Sequence, residues 1–264
     1  MATASFSLSP SPFSRSDFRP SSTQARLRIP CRSDGTSLSP LSRTLSAIES
    51  SGVIACLRAS SGDLAREAAQ AALSGGISVL EIVMSTPGVF EVLEGLVQDH
   101  PTSIIGVGTV LNALDARKAI KAGARFLMSP VTVKQDILED IQGGEILYIP
   151  GVMTPTELWA AYNSGARVVK VYPISALGGT QYISSLKKPF PHIPMVASQG
   201  ITLDSIGTYI AGGASAVVLS DAIFDKEAMC QQNFDTIYQL AQLAALQGHE
   251  AVQRKKRCML SLAS

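Results

Sequence analysis

Two charged residues lie inside runs of apolar, β-branched residues that are typical of buried strands. Lys170 interrupts the run RVVKVYP at 167–173, and Glu81 interrupts VLEIVM at 79–84. A lysine in such a strand either extends its ammonium to water or is kept from it, and desolvation favours the neutral amine. A neutral amine is a nucleophile toward ketones. A carboxylate beside it either transfers protons in that reaction or serves only as the ion-pair partner of a buried lysine.

The remaining elements must bring these two residues together. Glycines that end alternate helices recur at similar intervals, as duplication of a two-unit element gives, and they are Gly76, Gly123, Gly165 and Gly213. Strands that alternate with helices pair in parallel through right-handed crossovers, and eight such units close into an α/β fold, the (β/α)8 TIM barrel. We predict this barrel rather than an open doubly wound sheet, because no glycine-rich dinucleotide motif follows the first strand. The eight predicted strands are 53–58, 79–84, 104–110, 126–129, 146–150, 167–173, 195–198 and 216–220.

The two ends of the chain differ from its centre. Residues 1–40 are rich in Ser and Pro and carry five Arg against two Asp, which is typical of a disordered chloroplast transit peptide and predicts a location in the plastid stroma. A disordered tail without a targeting role is the alternative. We expect the barrel domain at 41–248, with a short helix at 41–50 capping one end and a long helix at 226–247 closing the fold. Residues 249–264 are predicted to form a solvated basic tail.

Composition argues against several classes of protein. No apolar run reaches the roughly 18 residues of a membrane span, so we expect no membrane contact. Without residues 1–40 the charge balance is mildly acidic, which gives no electrostatic footprint for nucleic acid. The cysteines are widely spaced and do not cluster with histidine, so we expect unpaired thiols and no metal site; they are Cys31, Cys56, Cys230 and Cys258. No motif suggests a nicotinamide, flavin or pyridoxal cofactor, and we expect none.

Four stretches together resemble the family of 2-keto-3-deoxy-6-phosphogluconate (KDPG) aldolases, which also cleave 2-keto-4-hydroxyglutarate (KHG). They are GGISVLE at 75–81, GVGTVL at 106–111, IPGVMTPTEL at 149–158 and VKVYP at 169–173, in the family's order. The resemblance implies a metal-free class I aldolase in a (β/α)8 barrel, usually assembled as a homotrimer. Its substrate would be a 2-keto-4-hydroxy acid, which is cleaved to pyruvate and an aldehyde.

The resemblance also implies roles for individual residues. Lys170 matches the family's Schiff-base lysine, and Glu81 matches the carboxylate that shuttles protons. Thr109 falls near the pyruvate carboxylate, and Ser198 is the small hydroxyl residue after the seventh strand. Pro150, within the third stretch, is assigned to substrate binding with them.

The chain departs from the family in the segments that bind anions there. Ser85 stands where the family has arginine, the Thr-Gly-Gly after strand seven is Ser-Gln-Gly at 198–200, and the Gly-x-Gly-Ser after strand eight is VLSD at 218–221. If Asp221 lay ~4 Å from a phosphate, repulsion would be about 4 kcal/mol at an effective dielectric of 20. We therefore expect a substrate site that prefers a non-phosphorylated 2-keto acid such as KHG, and its altered residues are Ser85, Gly200, Ser220 and Asp221.

Other functions are compatible with the same residues. The iminium formed on a lysine would also accept electrons from a departing CO2, so oxaloacetate decarboxylation is a chemically adjacent activity. The altered anion-binding segments fit a catalytically silent barrel that binds a keto acid or a protein partner. An isomerase or synthase of another phosphate-binding barrel family would need an intact anion loop after strands seven and eight, which this chain has weakened.

Overall fold

The computed structural model describes residues 39–133 and 146–263. Nearly all of the segment interpreted as a transit peptide, residues 1–38, lies outside these ranges. Residues 134–145, where a helix ending at Gly143-Gly144 is expected between the fourth and fifth strands, also lie outside them. The fold is therefore described from the N-terminal capping helix onward, with one interruption.

The strands form one fully parallel sheet, in the spatial order β5-β4-β3-β2-β1-β9-β8-β7-β6. Pro150 separates β5 from β6, because proline has no N–H to donate to a strand ladder. Its carbonyl still accepts a hydrogen bond from the backbone N–H of Lys170 at 2.8 Å. Since β5 pairs with β4 and β6 pairs with β7, the chain itself closes the barrel, and the predicted eight-unit barrel is confirmed with its fifth strand divided. The strands are β1 (Val53–Leu57), β2 (Val79–Val83), β3 (Ile104–Gly108), β4 (Phe126–Met128), β5 (Leu147–Ile149), β6 (Gly151–Val152), β7 (Val169–Val171), β8 (Met195–Ser198) and β9 (Ala216–Leu219).

Helices alternate with these strands, and their ends follow the local sequence. Thr154 begins one helix with a complete capping box formed with Glu157. The four periodic glycines all have positive φ and follow helix ends, as predicted. No helix in the described ranges is long and apolar enough to cross a membrane. The α-helices are α1 (Pro40–Ser51), α2 (Gly62–Ser74), α3 (Val89–Asp99), α4 (Ala113–Lys121), α5 (Pro155–Asn163), α6 (Gly179–Lys187), α7 (Ile206–Ala211), α8 (Lys226–Cys230) and α9 (Phe234–Ala263), with 3-10 turns at Ile174–Leu177 and Leu203–Ser205.

Helix α1 caps one end of the barrel. It begins at Ser39, whose hydroxyl accepts a hydrogen bond from the Ser42 N–H, and at Pro40, which suits a first helical position. It contacts β1, β2, β5 and β9. Ile48 is fully buried among the side chains of the barrel interior. The capping helix expected from the sequence is therefore confirmed.

Alternation along each strand divides the apolar residues into two clusters. One lies between the strands and the outer helices, and the other fills the barrel interior. In β2, Val79 packs into the interior, so Glu81 two residues later points the same way. Val168 also packs into the interior, so Lys170, two residues later on the same strand, points into it as well. The two-residue period thus places both charged side chains above the interior cluster.

The C-terminal part corrects the prediction for residues 226–264. The expected single helix is two: α8 ends at Cys230, and α9 runs from Phe234 to Ala263, so residues 249–263 are helical and not an irregular tail. Ala251 and Val252 are buried, and the Lys255 Nζ donates to the Ala214 carbonyl at 2.9 Å. Basic residues on one face of a helix leave its other face free to pack, and long lysine side chains bury their stems.

Candidate active site

A cavity of about 390 Å³ opens at the carboxyl ends of the strands, where barrels carry their chemistry. Seven of the residues proposed from the sequence line it, namely Lys170, Glu81, Thr109, Ser198, Gly200, Ser220 and Asp221. Cys56, Arg58 and Tyr172, for which the sequence predicted no role in the site, line it as well. Ser85 and Pro150 are not among the lining residues. One cavity thus brings together residues from seven strands or the segments that directly follow them.

Lys170 and Glu81 meet across the barrel interior. Strands β7 and β2 are separated by β1, β9 and β8 on one side, so the two side chains approach each other from opposite walls. The Lys170 Nζ lies 3.8 Å from the Glu81 Oε1. Lys170 is 7% exposed and Glu81 is 1% exposed. The pair is therefore a buried amine and carboxylate at the base of the cavity.

One oxygen of this carboxylate has no protein partner. The Glu81 Oε2 is buried and, within the described part of the chain, accepts no hydrogen bond. A buried polar atom without a partner is rare in folded proteins and requires a reason. A purely structural ion pair would be expected to satisfy both oxygens. The free acceptor is suited to a hydroxyl or a proton delivered from the cavity.

Gly108 makes room for this carboxylate. A Cβ on Gly108 would overlap the Glu81 Oε1, and a Cβ on Gly106 would overlap Phe126. Both glycines lie on β3 beside β2, where Gly106 is the register partner of Glu81. Both glycines of the GVGTVL stretch are therefore required by close packing. Gly106 leaves room for Phe126 of the interior cluster, and Gly108 leaves room for the Glu81 carboxylate.

Backbone strain is concentrated at the cavity. Thr109 has φ of 62° and Gln199 has φ of 88°, values that side-chain-bearing residues rarely adopt. Such conformations cost about 1–3 kcal/mol and persist where the surroundings impose them. The Ser175 hydroxyl donates to the Gln199 side-chain oxygen, which ties the exit of β8 to the exit of β7. Ser198 is buried just before this turn.

Arg58 and Asp221 carry opposite charges at the cavity mouth. Arg58 directly follows β1 and also lines an adjoining groove with Ser220 and Asp221. Asp221 pairs with Lys226 at 3.3 Å, and both of these side chains are largely exposed. Arg58 was not predicted from the sequence, although its position carries a signal: it directly follows an apolar strand and lies four residues after the inward-facing Ile54, in the same two-residue period.

Cys56 was counted only as an unpaired thiol, but it lies beside the catalytic candidates. It is half-buried on β1 and packs against the interior cluster. Burial raises the pKa of the Cys56 thiol well above its ordinary value, and the Glu81 charge and a hydrogen bond with Glu81 raise it further. Lys170 and Arg58 act in the opposite direction but more weakly overall. The thiol is therefore protonated at neutral pH.

Ser85 and Pro150 occupy other places than expected. A turn closed by the Thr86 N–H and the Val83 carbonyl at 2.9 Å follows β2, and Ser85 lies exposed on it. Pro150 is buried in the strand ladder, where its carbonyl holds the backbone of Lys170. Strand alternation places Ile149 and Gly151 on the inward side and Pro150 on the other. Pro150 therefore fixes the backbone of Lys170 through this hydrogen bond and does not contact the cavity itself.

The cavity combines an amine, a carboxylate and several hydroxyl groups. Across residues 39–133 and 146–263, no three His, Cys, Asp or Glu side chains come together in a way that would hold a metal ion. A buried amine beside a carboxylate with a free oxygen is suited to imine formation with a ketone and to proton transfer on the resulting adduct.

Comparisons with known proteins agree with this chemistry. The family model described as KDPG and KHG aldolase matches residues 45–240. The 2-dehydro-3-deoxy-phosphogluconate aldolase of Dickeya dadantii is 31% identical over 176 residues, covering 67% of this chain and 82% of the relative. The KHG/KDPG aldolase of Escherichia coli K12 is 28% identical over the same shares of both chains.

A solved structure adds a direct chemical parallel. The KDPG aldolase of Legionella pneumophila, crystallised with pyruvate captured as a covalent carbinolamine, is similar with a TM-score of 0.71 and 29% identity. The match covers 76% of this chain and 97% of that one. The family model alone spans well over half of the chain. The chain therefore belongs to the KDPG and KHG aldolase family, a family of carbon–carbon lyases.

Proposed function

We propose that this chain cleaves a 2-keto-4-hydroxy acid to pyruvate and an aldehyde through a Schiff base on Lys170. The observation that carries the proposal is the buried pair at the base of the cavity, with the Lys170 Nζ 3.8 Å from Glu81 and the second Glu81 oxygen unpartnered. The pyruvate carbinolamine of the Legionella relative supports the same chemistry.

The first half of the reaction forms the electron sink. Lys170 gives up a proton to Glu81, and the neutral amine adds to the C2 carbonyl of the keto acid to form a carbinolamine. The carbinolamine loses its hydroxyl as water, for which Glu81 returns the proton, and an iminium remains. Exclusion of bulk water by the barrel walls favours this condensation, because both partners are buried.

The second half breaks the carbon–carbon bond. Glu81 takes the C4 hydroxyl proton, the C3–C4 electron pair moves into the iminium, and the aldehyde leaves an enamine behind. Protonation of the enamine at C3 and addition of water to the iminium release pyruvate and restore Lys170. The same iminium would accept the electron pair of a departing CO2, so oxaloacetate decarboxylation is the side reaction to assay.

We further propose that the substrate is non-phosphorylated. Asp221 presents a carboxylate at the cavity mouth, and the Gln199 side chain occupies the turn after β8 in place of a glycine. A phosphate approaching this rim meets the like charge of Asp221, which exposure and the Lys226 pairing screen, and the cation of Arg58, whose single charge balances one carboxylate but not the larger charge of a phosphate. A substrate whose distal end is a single carboxylate or a hydroxyl meets less repulsion.

Substrate preference is tested by comparing KHG with KDPG. We expect kcat/KM to favour KHG, and Asp221→Ser to improve KDPG cleavage by roughly tenfold, equivalent to about 1.4 kcal/mol. Glu227→Ser, which removes a carboxylate from α8 outside the cavity lining, is the matched control. A tenfold preference of the wild-type protein for KDPG would refute the non-phosphorylated assignment while leaving the Schiff-base chemistry intact.

The Schiff base is tested by reduction with borohydride in the presence of pyruvate. Intact mass should show one trapped pyruvate, and peptide mapping should place it on Lys170. The adduct should be absent in Lys170→Ala. If the folded wild-type protein forms no adduct, the proposal is refuted, and Lys170 and Glu81 form only a structural ion pair.

Lys187 provides the matched control for this experiment. Burial lowers its pKa to about 8, so near that pH this amine is also partly neutral. Its Nζ donates to the Ile193 carbonyl at 2.6 Å, and it does not line the cavity. Lys187→Met should leave trapping on Lys170 unchanged, which separates site chemistry from the reactivity of any deprotonated lysine.

An apolar surface and the N-terminal segment suggest how the chain assembles and where it is located. Exposed apolar side chains follow consecutive strand ends on one side of the barrel, and such surfaces mark protein contacts; they are Leu111, Leu114, Val131, Met153 and Trp159. We propose that they mediate a homotrimer, which sedimentation of wild-type and Val131→Asp proteins would test.

We also propose import into plastids, directed by residues 1–40, which an import assay with isolated chloroplasts would test.

A further inference from the structure

Cys56 and Glu81 are neighbours on adjacent parallel strands. Their Cα atoms are register partners between β1 and β2, so both side chains leave the sheet on the same side. Both line the cavity, and Cys56 packs on the interior cluster directly below. The thiol therefore lies beside the carboxylate, on the flank opposite to Gly108.

Three neighbours surround the Glu81 carboxylate. Lys170 approaches Oε1 at 3.8 Å, Gly108 leaves the space that the carboxylate occupies, and Cys56, the register partner of Glu81 on β1, brings its thiol to the same side of the sheet in the same cavity. The first contact is lost during turnover, because Lys170 becomes a neutral amine and then part of an adduct. The thiol is a neutral donor that persists through every step.

We propose that Cys56 is a positioning residue, whose thiol holds Glu81 in the orientation that transfers protons after Lys170 has been consumed by the adduct. This inference rests on the proposed Schiff-base function and deepens it. A neutral donor also suits the site because it adds no charge beside Lys170. Valine in its place would keep the volume and lose the donor, whereas serine would keep a donor.

Exchange of the pyruvate methyl protons in D2O tests this step without a choice of aldehyde. The enamine of pyruvate takes up deuterium at C3 when Glu81 returns the proton, and proton NMR follows the loss of the methyl signal. We expect Cys56→Val to slow exchange about tenfold, the value of one hydrogen bond to a charged group, and Cys56→Ser to remain within about threefold of wild type. Cys258→Val, at an exposed thiol of α9, is the matched control.

A pH profile separates positioning from packing. The charged and titratable groups that face the thiol are Glu81, Lys170 and Arg58, with Asp221 and Tyr172 elsewhere in the lining. Without the thiol donor the ionised Glu81 is less stabilised, so the acidic limb of the exchange rate should move to higher pH in Cys56→Val and not in Cys56→Ser. Cys56→Ala, which only removes atoms, repeats the test if valine disturbs folding.

The outcomes distinguish a failure of the Schiff-base function from a failure of the positioning role of Cys56. A missing borohydride adduct in wild-type protein overturns the Schiff-base function itself. An intact adduct with unchanged exchange and unchanged pH profile in Cys56→Val and Cys56→Ala overturns only the role of Cys56. Equal losses in the valine and serine variants, with no movement of the acidic limb, would assign Cys56 to packing and overturn the hydrogen-bond role.

Discussion

Glu81 occupies the space that a side chain on Gly108 would fill. The two residues lie on neighbouring strands, and the Oε1 of Glu81 rests over the Cα of Gly108, so a methyl group there would overlap the carboxylate. This relationship links the glycine-rich stretch of β3 to proton transfer, because the acid reaches Lys170 only across that open backbone.

Gly108→Ala should therefore disable the enzyme without unfolding it. The added methyl group displaces Glu81 from Lys170, and loss of a positioned acid–base group costs about 10²- to 10⁴-fold in rate. We expect kcat for pyruvate release to fall at least a hundredfold, with the circular dichroism spectrum unchanged. Gly95→Ala on α3 is the matched control, because a Cβ there would lie 3.9 Å from its nearest atom, the Arg66 Cζ of α2. The alanine should raise the free energy of unfolding by about 0.5–1 kcal/mol. Full activity in Gly108→Ala would contradict this explanation.

Arg58 should act on substrate binding rather than on chemistry. It carries a positive charge at the cavity mouth, next to the place where the distal end of an anionic substrate would lie. We expect Arg58→Gln to raise KM about tenfold with kcat little changed, since one hydrogen bond to a charged group is lost. The effect should weaken in high salt. Arg66→Gln, at an exposed position of α2, should change neither constant. A fall in kcat alone for Arg58→Gln would assign Arg58 to catalysis.

The C-terminal half of α9 should contribute to stability. Val252 is 5% exposed, and its Cγ2 packs over Gly52 at the end of α1. Val252→Ala removes two methyl equivalents and leaves a gap, so we expect a loss of about 2 kcal/mol and a fall in Tm of about 5 °C. Thermal unfolding followed by circular dichroism measures it.

The end of the same helix provides the control. Leu260 is 72% exposed, and Leu260→Ala should leave Tm within about 1 °C. Deletion of residues 249–264 should lower Tm more than Val252→Ala does, whereas deletion of 260–264 should not. An unchanged Tm after removal of residues 249–264 would restore the view of a solvated tail.

Lys187 should make stability depend on pH in the alkaline range. Its folded-state pKa is about 8, below the ordinary 10.5, because burial and the nearby Lys255 disfavour the ammonium while Glu49 favours it. Between these values the unfolded chain binds a proton that the folded chain lacks, so the free energy of unfolding rises with pH. Measured by urea at pH 7.5 and 9.5, wild-type protein should gain stability relative to Lys187→Met. A difference that is independent of pH would contradict the shifted pKa.

Much of the site could be predicted because strand alternation is a local property. A lysine or glutamate inside an apolar strand keeps the inward period of its neighbours, so Lys170 and Glu81 were identifiable from 167–173 and 79–84 alone. The barrel followed from the regular succession of such strands. Thr109, Ser198 and Asp221 were assigned by comparison with the family's motifs, and the carboxyl ends of the strands bring all three to one cavity.

The rest depended on contacts between residues far apart in the chain. The space that Gly108 leaves for Glu81 and the thiol of Cys56 beside the same carboxylate depend on registers between strands, which no local pattern encodes. Ser85 was predicted to belong to the substrate site, but the turn that follows Val83 ends the strand's alternation of inward and outward side chains. Ser85 therefore does not line the cavity. The length of α9 was underestimated because its basic residues concealed a buried face.

Helix α1 sets a limit on how far the chain can be shortened from its N-terminal side. Ser39 supplies the hydroxyl that starts this helix, and Ile48 plugs the base of the barrel at the end opposite to Lys170. A truncation that removed Ser39 would fray this helix and admit water to the barrel interior from below. The latest residue at which a working chain can begin is therefore set by the floor of the barrel.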